Sequence, residues 1–377
     1  MGIIAEILRR HGPAYLDGPG AAVPLPQRRA ARRIAACRTG SLGGHVEYCA
    51  DCAELLEFTP HSCRDRLCPV CRGAEAHAWL EARRAELLPV RYFHTIVTVP
   101  TVYSQAVRDH PARLGGELMA AVAEALQTLA ANPQRLGGEL GILAVLHTWG
   151  RRLNWHAHVH CLVPGVALRS DGSFAVVDTR FLVPVGAFRK VFPAILTRRF
   201  RAALPGFDPP GGVWRRPWNV LIRPCDEGPR VVLNYLTRYV RSGPLHEAQI
   251  LRADDDEVAF RYLNHRTGKV ELLRTTPAGF VARYLQHALP HRFHRIRHYG
   301  FLAPGRRRDL QALQIALIAR YGPSALAPEV PRPPEVAVPR PCPYCGSTRP
   351  RHCGTIPPWR PTAGYAVTWR APPSPPS

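Results

Sequence analysis

Residues 141–165 read GILAVLHTWGRRLNWHAHVHCLVPG. Two apolar, β-rich runs flank the polar segment Gly150-Arg151-Arg152-Leu153-Asn154, the pattern of a strand, a turn and a second strand. Side chains alternate faces along a strand, so His156, His158 and His160 share one face while Ala157, Val159 and Cys161 share the other. His147, on the first strand, is close enough in the chain to lie across the ladder from them. Neutral imidazole is the commonest side-chain metal ligand, and several on one strand face can converge on an ion without help from a loop. The chain has 17 histidines, and a solvent-facing strand would also carry some. Three at period two inside an otherwise apolar run point instead to a metal site drawn from His147, His156, His158 and His160.

Upstream of the hairpin lies a block of cysteines, part of a total of 11. Cys49-x2-Cys52 and Cys68-x2-Cys71 have the spacing of a four-thiolate zinc ribbon or knuckle. Each pair makes a tight turn that offers two sulfurs to one tetrahedral ion, and a closed four-sulfur site is structural. Cys37, His45, His61 and Cys63 lie nearby and could complete a second zinc site, replace one of the four, or be buried thiols. Arg64, Arg66 and Arg72 interleave with these ligands, which predicts a module that faces DNA.

The net charge agrees. Fifty Lys and Arg against 28 Asp and Glu leave +22, an excess that calls for a polyanionic partner, most simply nucleic acid. A metallohydrolase of small molecules would leave that charge without a use. At 377 residues the chain can bury a full core and divide into two or three modules. The first residues read as an amphipathic helix rather than a signal peptide, and no apolar run is long enough to cross a bilayer. The expectation is a cytoplasmic, nucleoid-associated protein without a membrane partner. No GxGxxG or Walker loop occurs, so no nucleotide cofactor is expected.

The rest of the chain supplies elements around the hairpin. Two short N-terminal helices are expected about a Gly18-Pro19-Gly20 turn, the second carrying Arg28, Arg29, Arg32 and Arg33. Residues 74–88 read as a helix, and YFHTIVTV at 92–99 as a strand whose His94 could approach the hairpin. Helices are expected over 117–129, 187–204 and 278–289, with strands at 174–177, 218–222 and within 249–274. Residues 231–241, VVLNYLTRYVR, suit a helix on which Tyr235 and Tyr239 share a face, as packing tyrosines also do. HRFHRIRHYG at 291–300 sets Arg292, Arg295 and Arg297 among aromatics, a combination suited to phosphate contact and base stacking. Beyond Gly322 the chain turns proline-rich and reads as a flexible tail, with a degenerate knuckle at Cys342-Pro343-Tyr344-Cys345 and His352-Cys353.

Histidine ligands on a strand, a tyrosine on a separate helix and a basic zinc-bearing neighbour fit one reaction. A phenol oxygen attacks a DNA phosphodiester, giving a 5′-phosphotyrosine and a free 3′-hydroxyl, while a divalent ion such as Mg²⁺ or Mn²⁺ polarises the phosphate. One phosphodiester is exchanged for another, so no ATP is needed.

The motifs CRTGSLGGHVEYCADC, SCRDRLCPVC, YFHTIVTVP, HTWGRRLNWHAHVHCLVPG, YLTRY and FHRIRHYGFL occur in an order that resembles the HUH-type rolling-circle transposases of the IS91 family of bacterial insertion sequences. The resemblance covers residues of about 10 to 320. It implies that His158-Val159-His160 is the metal motif, that Tyr235 and Tyr239 are the nucleophile pair, and that Cys49, Cys52, Cys68 and Cys71 form the zinc module. His147 fits the family's third-ligand position on the partner strand, with His156 as the competitor on the same face as the pair. After Tyr239 the chain reads Val240-Arg241-Ser242-Gly243-Pro244 where the family tends to continue Thr-His-Arg.

The expected architecture is α+β. A helical and zinc-ribbon module occupies residues 1–90, an HUH-nuclease core with a central antiparallel sheet and flanking helices residues 91–322, and a proline-rich tail residues 323–377. The expected activity is nicking and rejoining of single-stranded DNA at insertion-sequence ends. The rival readings are a decayed copy that only binds DNA and a replication initiator or relaxase sharing the metal motif.

Overall fold

The hairpin becomes the middle of a five-stranded antiparallel sheet in the computed structural model, which describes residues 2–71, 79, 83, 85–214, 218–225, 243–264, 267–322, 341–349 and 351–358. In chain order the elements begin with α1 (Ile3–Asp17), α2 (Leu25–Ala35), β1 (Gly44–Tyr48), β2 (Leu55–Pro60) and β3 (Tyr92–Thr98). Next come α3 (Thr101–Asp109), α4 (Pro111–Ala130), β4 (Glu139–Leu140), β5 (Ile142–Trp149), β6 (Trp155–Pro164), β7 (Val166–Leu168) and β8 (Phe174–Val176). The chain continues with α5 (Val185–Ala203), β9 (Asn219–Cys225), β10 (Ile250–Ala253), β11 (Val258–Leu263) and β12 (Val270–Thr275). It ends with α6 (Pro277–Leu285), β13 (Ile296–Tyr299), α7 (Arg307–Tyr321) and β14 (His352–Ile356). The mixed fold with antiparallel sheets expected from the sequence is what forms.

Two compact units result, Met1–Ala35 with Arg64–Glu335 and Ala36–Cys63 with Val336–Ser377. The division differs from the boundaries at 90 and 322: α1 and α2 belong with the sheet, and β14 belongs with the cysteine-bearing strands.

In the first unit the sheet runs β13-β5-β6-β3-β9. Alternation along the hairpin divides its residues between two environments. Ile142, Ala144, Leu146, Ala157, Val159, Cys161 and Val163 face a core that includes Phe93, Val97, Leu118, Met119, Val122 and Leu126. Phe188, Phe192, Leu196 and Phe200 of α5 complete that core, each fully buried. Full burial of such a side chain contributes roughly 1.5–3 kcal/mol, so this face fixes the hairpin's register. The opposite face is apolar only at one end, where Tyr92, Leu143, Val145 and Leu162 meet Leu310, Leu313 and Leu317 of α7. The histidines occupy the remainder of that face.

The turn is closed by Gly150 N–H donating to the Asn154 carbonyl at 2.9 Å and Leu153 N–H to the Gly150 carbonyl at 3.1 Å. Leu153 adopts φ 56, a left-handed conformation disfavoured for a branched side chain. Complete burial of its side chain, and a 2.8 Å hydrogen bond from Gln286 Nε2 to its carbonyl, hold it there. A second sheet, β10-β11-β12, leads into α6, which Thr276 caps by accepting from Gly279 N–H at 3.1 Å, with Pro277 in the first turn.

The second unit is a three-stranded antiparallel sheet, β14-β1-β2. Residues expected to form a flexible tail with a degenerate knuckle thus supply an outer strand, paired from Gly44↔Ile356 to Tyr48↔His352. Among the described residues no helix is long and apolar enough to cross a membrane.

Candidate metal centre

His147 and His158 are direct cross-strand partners on β5 and β6, and His160 lies two residues further along the same face. The three present ligand atoms that all fall within 4.8 Å of one another. His156 is outside the group. The register that sets His147 opposite His158 leaves no imidazole across from His156, and a bulge between His147 and Trp149 then pairs Trp149 with Trp155. Its carbonyl has another use, accepting the Nδ1–H of His158 at 2.8 Å. That bond fixes the His158 tautomer and leaves Nε2 with its lone pair available to an ion.

The electrostatics suit ligation. Burial pushes the His158 imidazole down to about 4. Burial, helped by the neighbouring His158 and His94, takes His160 to about 2. Both rings are therefore neutral near pH 7, the state that binds metal. His94 of β3 lies against the second of them, with its Nε2 2.9 Å from His160 Nδ1 and the rings stacked at 5.1 Å. Ligating histidines commonly use their second nitrogen in this way, and His94 orients the ring of His160. Arg223 of β9 stands opposite His94 in register and brings positive charge to the same face. Three imidazoles on a rigid sheet fit a divalent ion and leave coordination positions for substrate oxygens.

Trp149 links this centre to a basic cleft. Its indole stacks on His147 with ring centroids 4.5 Å apart, and the Arg295 guanidinium lies 5.4 Å from the indole centroid. Trp149 and His287 wall a cleft of about 260 Å³ whose rim carries Arg29 and Arg33 of α2, Arg64, Arg66, His291 and Arg295. An aromatic wall within an arginine rim suits a strand of nucleic acid, whose bases stack and whose phosphates pair.

The five arginines expected to contact DNA separate on this map. Arg64, Arg66 and Arg295 line the cleft. Arg66 is also structural, donating to the Pro290 carbonyl at 2.8 Å and to the Phe293 carbonyl. Arg292 is exposed with φ 61 and Arg297 is half-buried; neither lines the cleft. The Arg297 guanidinium instead packs over the Phe293 ring at 6.0 Å and against Gly116 of α4, where a Cβ would come within 2.6 Å of it. Strand alternation explains the loss: Arg297 pairs with Ala144, whose side chain faces the core.

Tyr235 and Tyr239 lie outside the described residues, as does Arg72.

The cysteines depart from the expected set. Cys49 and Cys52 group with Cys342 and Cys345, all four sulfurs within 4.8 Å, rather than with Cys68 and Cys71. Nearness in sequence favoured the latter pair, whereas pairing of β14 with β1 carries the distant knuckle to the first one. Backbone N–H groups of Cys52 and Asp51 directed at Cys49 hold its thiol well below the ordinary range. In the same unit Cys63 N–H lies 3.5 Å from Cys37 Sγ, while His45 turns to His61, their Nε2 atoms 3.1 Å apart. Cys68 and Cys71 are buried in the sheet-bearing unit. Trp149 and His287 carry no signal in the sequence, and Cys342 and Cys345 read there as a degenerate knuckle of the tail, although their CxxC spacing repeats that of Cys49 and Cys52.

Comparison with known proteins finds similarity to transposases. Residues 7–99 match the family described as transposase zinc-binding domain, and residues 141–309 match the family described as putative transposase. A putative transposase of Sinorhizobium fredii is 35% identical over 357 residues, 89% of this chain and 87% of the relative. The transposase for insertion sequence element IS801 of Pseudomonas savastanoi pv. phaseolicola is 26% identical over 297 residues, covering 72% of this chain and 69% of the relative. No solved structure gives a significant match.

Proposed function

The chain belongs to the IS91-family transposases, and from that premise we propose that it cuts and rejoins single-stranded DNA at the ends of an insertion sequence through a phosphotyrosine link. The observation that carries the reading is the convergence of His147, His158 and His160 on one sheet face. A Mg²⁺ or Mn²⁺ ion held by these imidazoles would supply positive charge to the oxygens of the scissile phosphate.

The chain's own groups do the remainder. The DNA strand runs along the cleft, with phosphates against Arg29, Arg33 and Arg295 and a base against Trp149. The phenol oxygen of Tyr235 or Tyr239 attacks the phosphorus as its proton leaves, and the 3′-oxygen departs to take up a proton. The 5′-phosphate stays on the tyrosine until a 3′-hydroxyl displaces it, so bond number is conserved. Two tyrosines allow two strand ends to be held in turn, as rolling-circle transposition needs. Zinc is structural in this scheme. The remaining cysteines of the zinc-binding match, Cys37, Cys63, Cys68 and Cys71, are each at most 8% exposed and are read as ligands of the same kind.

The test is a single-stranded oligonucleotide carrying an element end, incubated with protein and Mn²⁺. A denaturant-stable protein–DNA adduct is expected from the parent and none from Tyr235→Phe/Tyr239→Phe. Undiminished adduct from that double variant would falsify the nucleophile assignment. DNA binding by the parent without cutting would instead mark a decayed, binding-only copy.

A further inference from the structure

The Cys342–Cys345 turn lies beyond both matched segments, which end at residues 99 and 309. Its place in the second unit is nevertheless specific. Cys345 Sγ is 3.5 Å from Cys49 Sγ, and Cys342 Sγ is 3.8 Å from Cys52 Sγ. Four sulfurs about 2.3 Å from a tetrahedral zinc stand ~3.8 Å apart along each edge, so these separations fit a shared ion.

The two turns also repeat one backbone design. Cys49 N–H donates to the Glu54 carbonyl at 3.0 Å, and Ala53 N–H to the Cys49 carbonyl at 3.1 Å. At the other turn Cys342 N–H donates to Ser347 at 2.8 Å, and Gly346 N–H to Cys342 at 2.9 Å. The residue four after the first cysteine is left-handed in both, Ala53 with φ 58 and Gly346 with φ 72. For alanine that conformation costs roughly 1–2 kcal/mol, so the turn shape is imposed against local preference. Each turn offers two sulfurs in the same way, as the two halves of a zinc ribbon must.

Side chains join the halves as well. Arg349 reaches Asp51 at 3.0 Å, Ser347 Oγ donates to the same carboxylate, and Arg351 reaches Glu47 at 2.9 Å. These contacts are largely exposed, and such pairs contribute only about 0–1 kcal/mol each. Apolar burial adds little, since Leu55, Phe58, Tyr344 and Ile356 are 47%, 41%, 65% and 41% exposed. The described residues give this sheet little core, and sheets so small usually need a metal or a covalent link.

We infer that Cys49, Cys52, Cys342 and Cys345 bind one structural zinc ion that ties the C-terminal arm into the ribbon begun near the N-terminus. Binding releases the thiol protons to solvent and leaves four thiolates on the ion, with no position open for chemistry. The arm is then an obligate half of the zinc module. The inference does not depend on the DNA chemistry proposed above.

The experiment uses the full chain, purified in reductant with zinc present. Metal analysis should find one zinc per chain fewer in Cys342→Ser/Cys345→Ser than in the parent, and no change in Cys353→Ser. A second measurement needs no variant. Cys345 and Cys353 are both exposed, so a maleimide should modify both at once if neither holds metal. The expected result is prompt modification of Cys353 and protection of Cys345 until a zinc chelator is added. Unchanged zinc content in the double variant overturns the inference, as does prompt labelling of Cys345 in the zinc-loaded parent. Protection that yields to stronger reductant but not to chelator means a disulfide and overturns it equally. If the double variant does not fold, the labelling of the parent decides.

Discussion

His147, His158 and His160 hang from one hairpin whose strands are joined by residues 150–154, whereas Cys49 and Cys52 meet Cys345 and Cys342 across 296 and 290 residues of chain. The hairpin's other face is locked into the core against α4 and α5, so its imidazoles are placed before any ion arrives. Among its described residues the ribbon has no comparable core, and its outer strands β2 and β14 are mostly exposed. On the function proposed above, an ion at the histidines would serve chemistry and could leave without consequence for the fold. On the zinc assignment inferred above, an ion at the cysteines would be part of the fold. The two sites therefore teach different things about metal removal.

The sharpest way to break this contrast is to strip all metal. Structural zinc contributes on the order of 10–16 kcal/mol in small zinc-binding peptides, far more than the surface contacts here can replace. Backbone amides of β1, β2 and β14 should then lose hydrogen-exchange protection, while β5 and β6 keep theirs. Equal loss in both units would show that the hairpin too depends on metal for its shape. The reverse substitution comes next in size. His158→Ala should lower cleavage of a single-stranded end by about 10²–10³-fold, the usual loss when a transition-state charge stabiliser is removed, with protection of β5 and β6 preserved. A variant that cuts at the parental rate would remove His158 from the site.

A smaller effect tests whether the histidine site extends beyond its three ligands. His94→Phe removes the partner of His160 Nδ1 while keeping a ring in the buried position. Metal affinity should fall about 10–100-fold, and cleavage should recover when Mn²⁺ is raised. A loss that excess metal does not restore would mean that His94 serves folding instead.

The same difference in chain separation governs what could be read from the sequence. Period-two alternation along residues 156–161 announces both the strand and its histidine face, because that information is local. The choice between His147 and His156 is not local in this sense. It depends on the register of β5 against β6, which sets His147 opposite His158 and which no composition signals. Arg297 is a related case: in a loop it would face solvent, but as a residue of β13 opposite Ala144 it is half-buried and packs over Phe293. The ribbon was half legible. CxxC turns declare themselves wherever they occur, but which two turns meet is decided by strand pairing over nearly the whole chain. Trp149 and His287 gave no signal, since a cleft wall assembled from β5, α2 and the segment after α6 exists only once they meet.

Acid provides the finest test of which unit fails first. His287 is 3% exposed, its Nδ1 3.2 Å from Thr148 Oγ1 and its ring stacked 5.9 Å from Trp155. Burial pushes it down to about 3. In the unfolded chain an imidazole titrates near ~6.5, so below that pH the unfolded state binds a proton that the folded state refuses. The stability held by this residue is complete above ~6.5 and falls as pH drops toward the folded value, by roughly 1–2 kcal/mol at pH 5. His287→Gln should be less stable at neutral pH and show a shallower acid slope, read by denaturant titration of metal-free protein. Removing metal first matters, because protonation of zinc-bound thiolates in the ribbon would also release the ion in acid. An acid sensitivity that persists without metal belongs to the buried imidazoles of the sheet unit. One that disappears with the zinc belongs to the ribbon, and would place the whole pH response in the cysteine site.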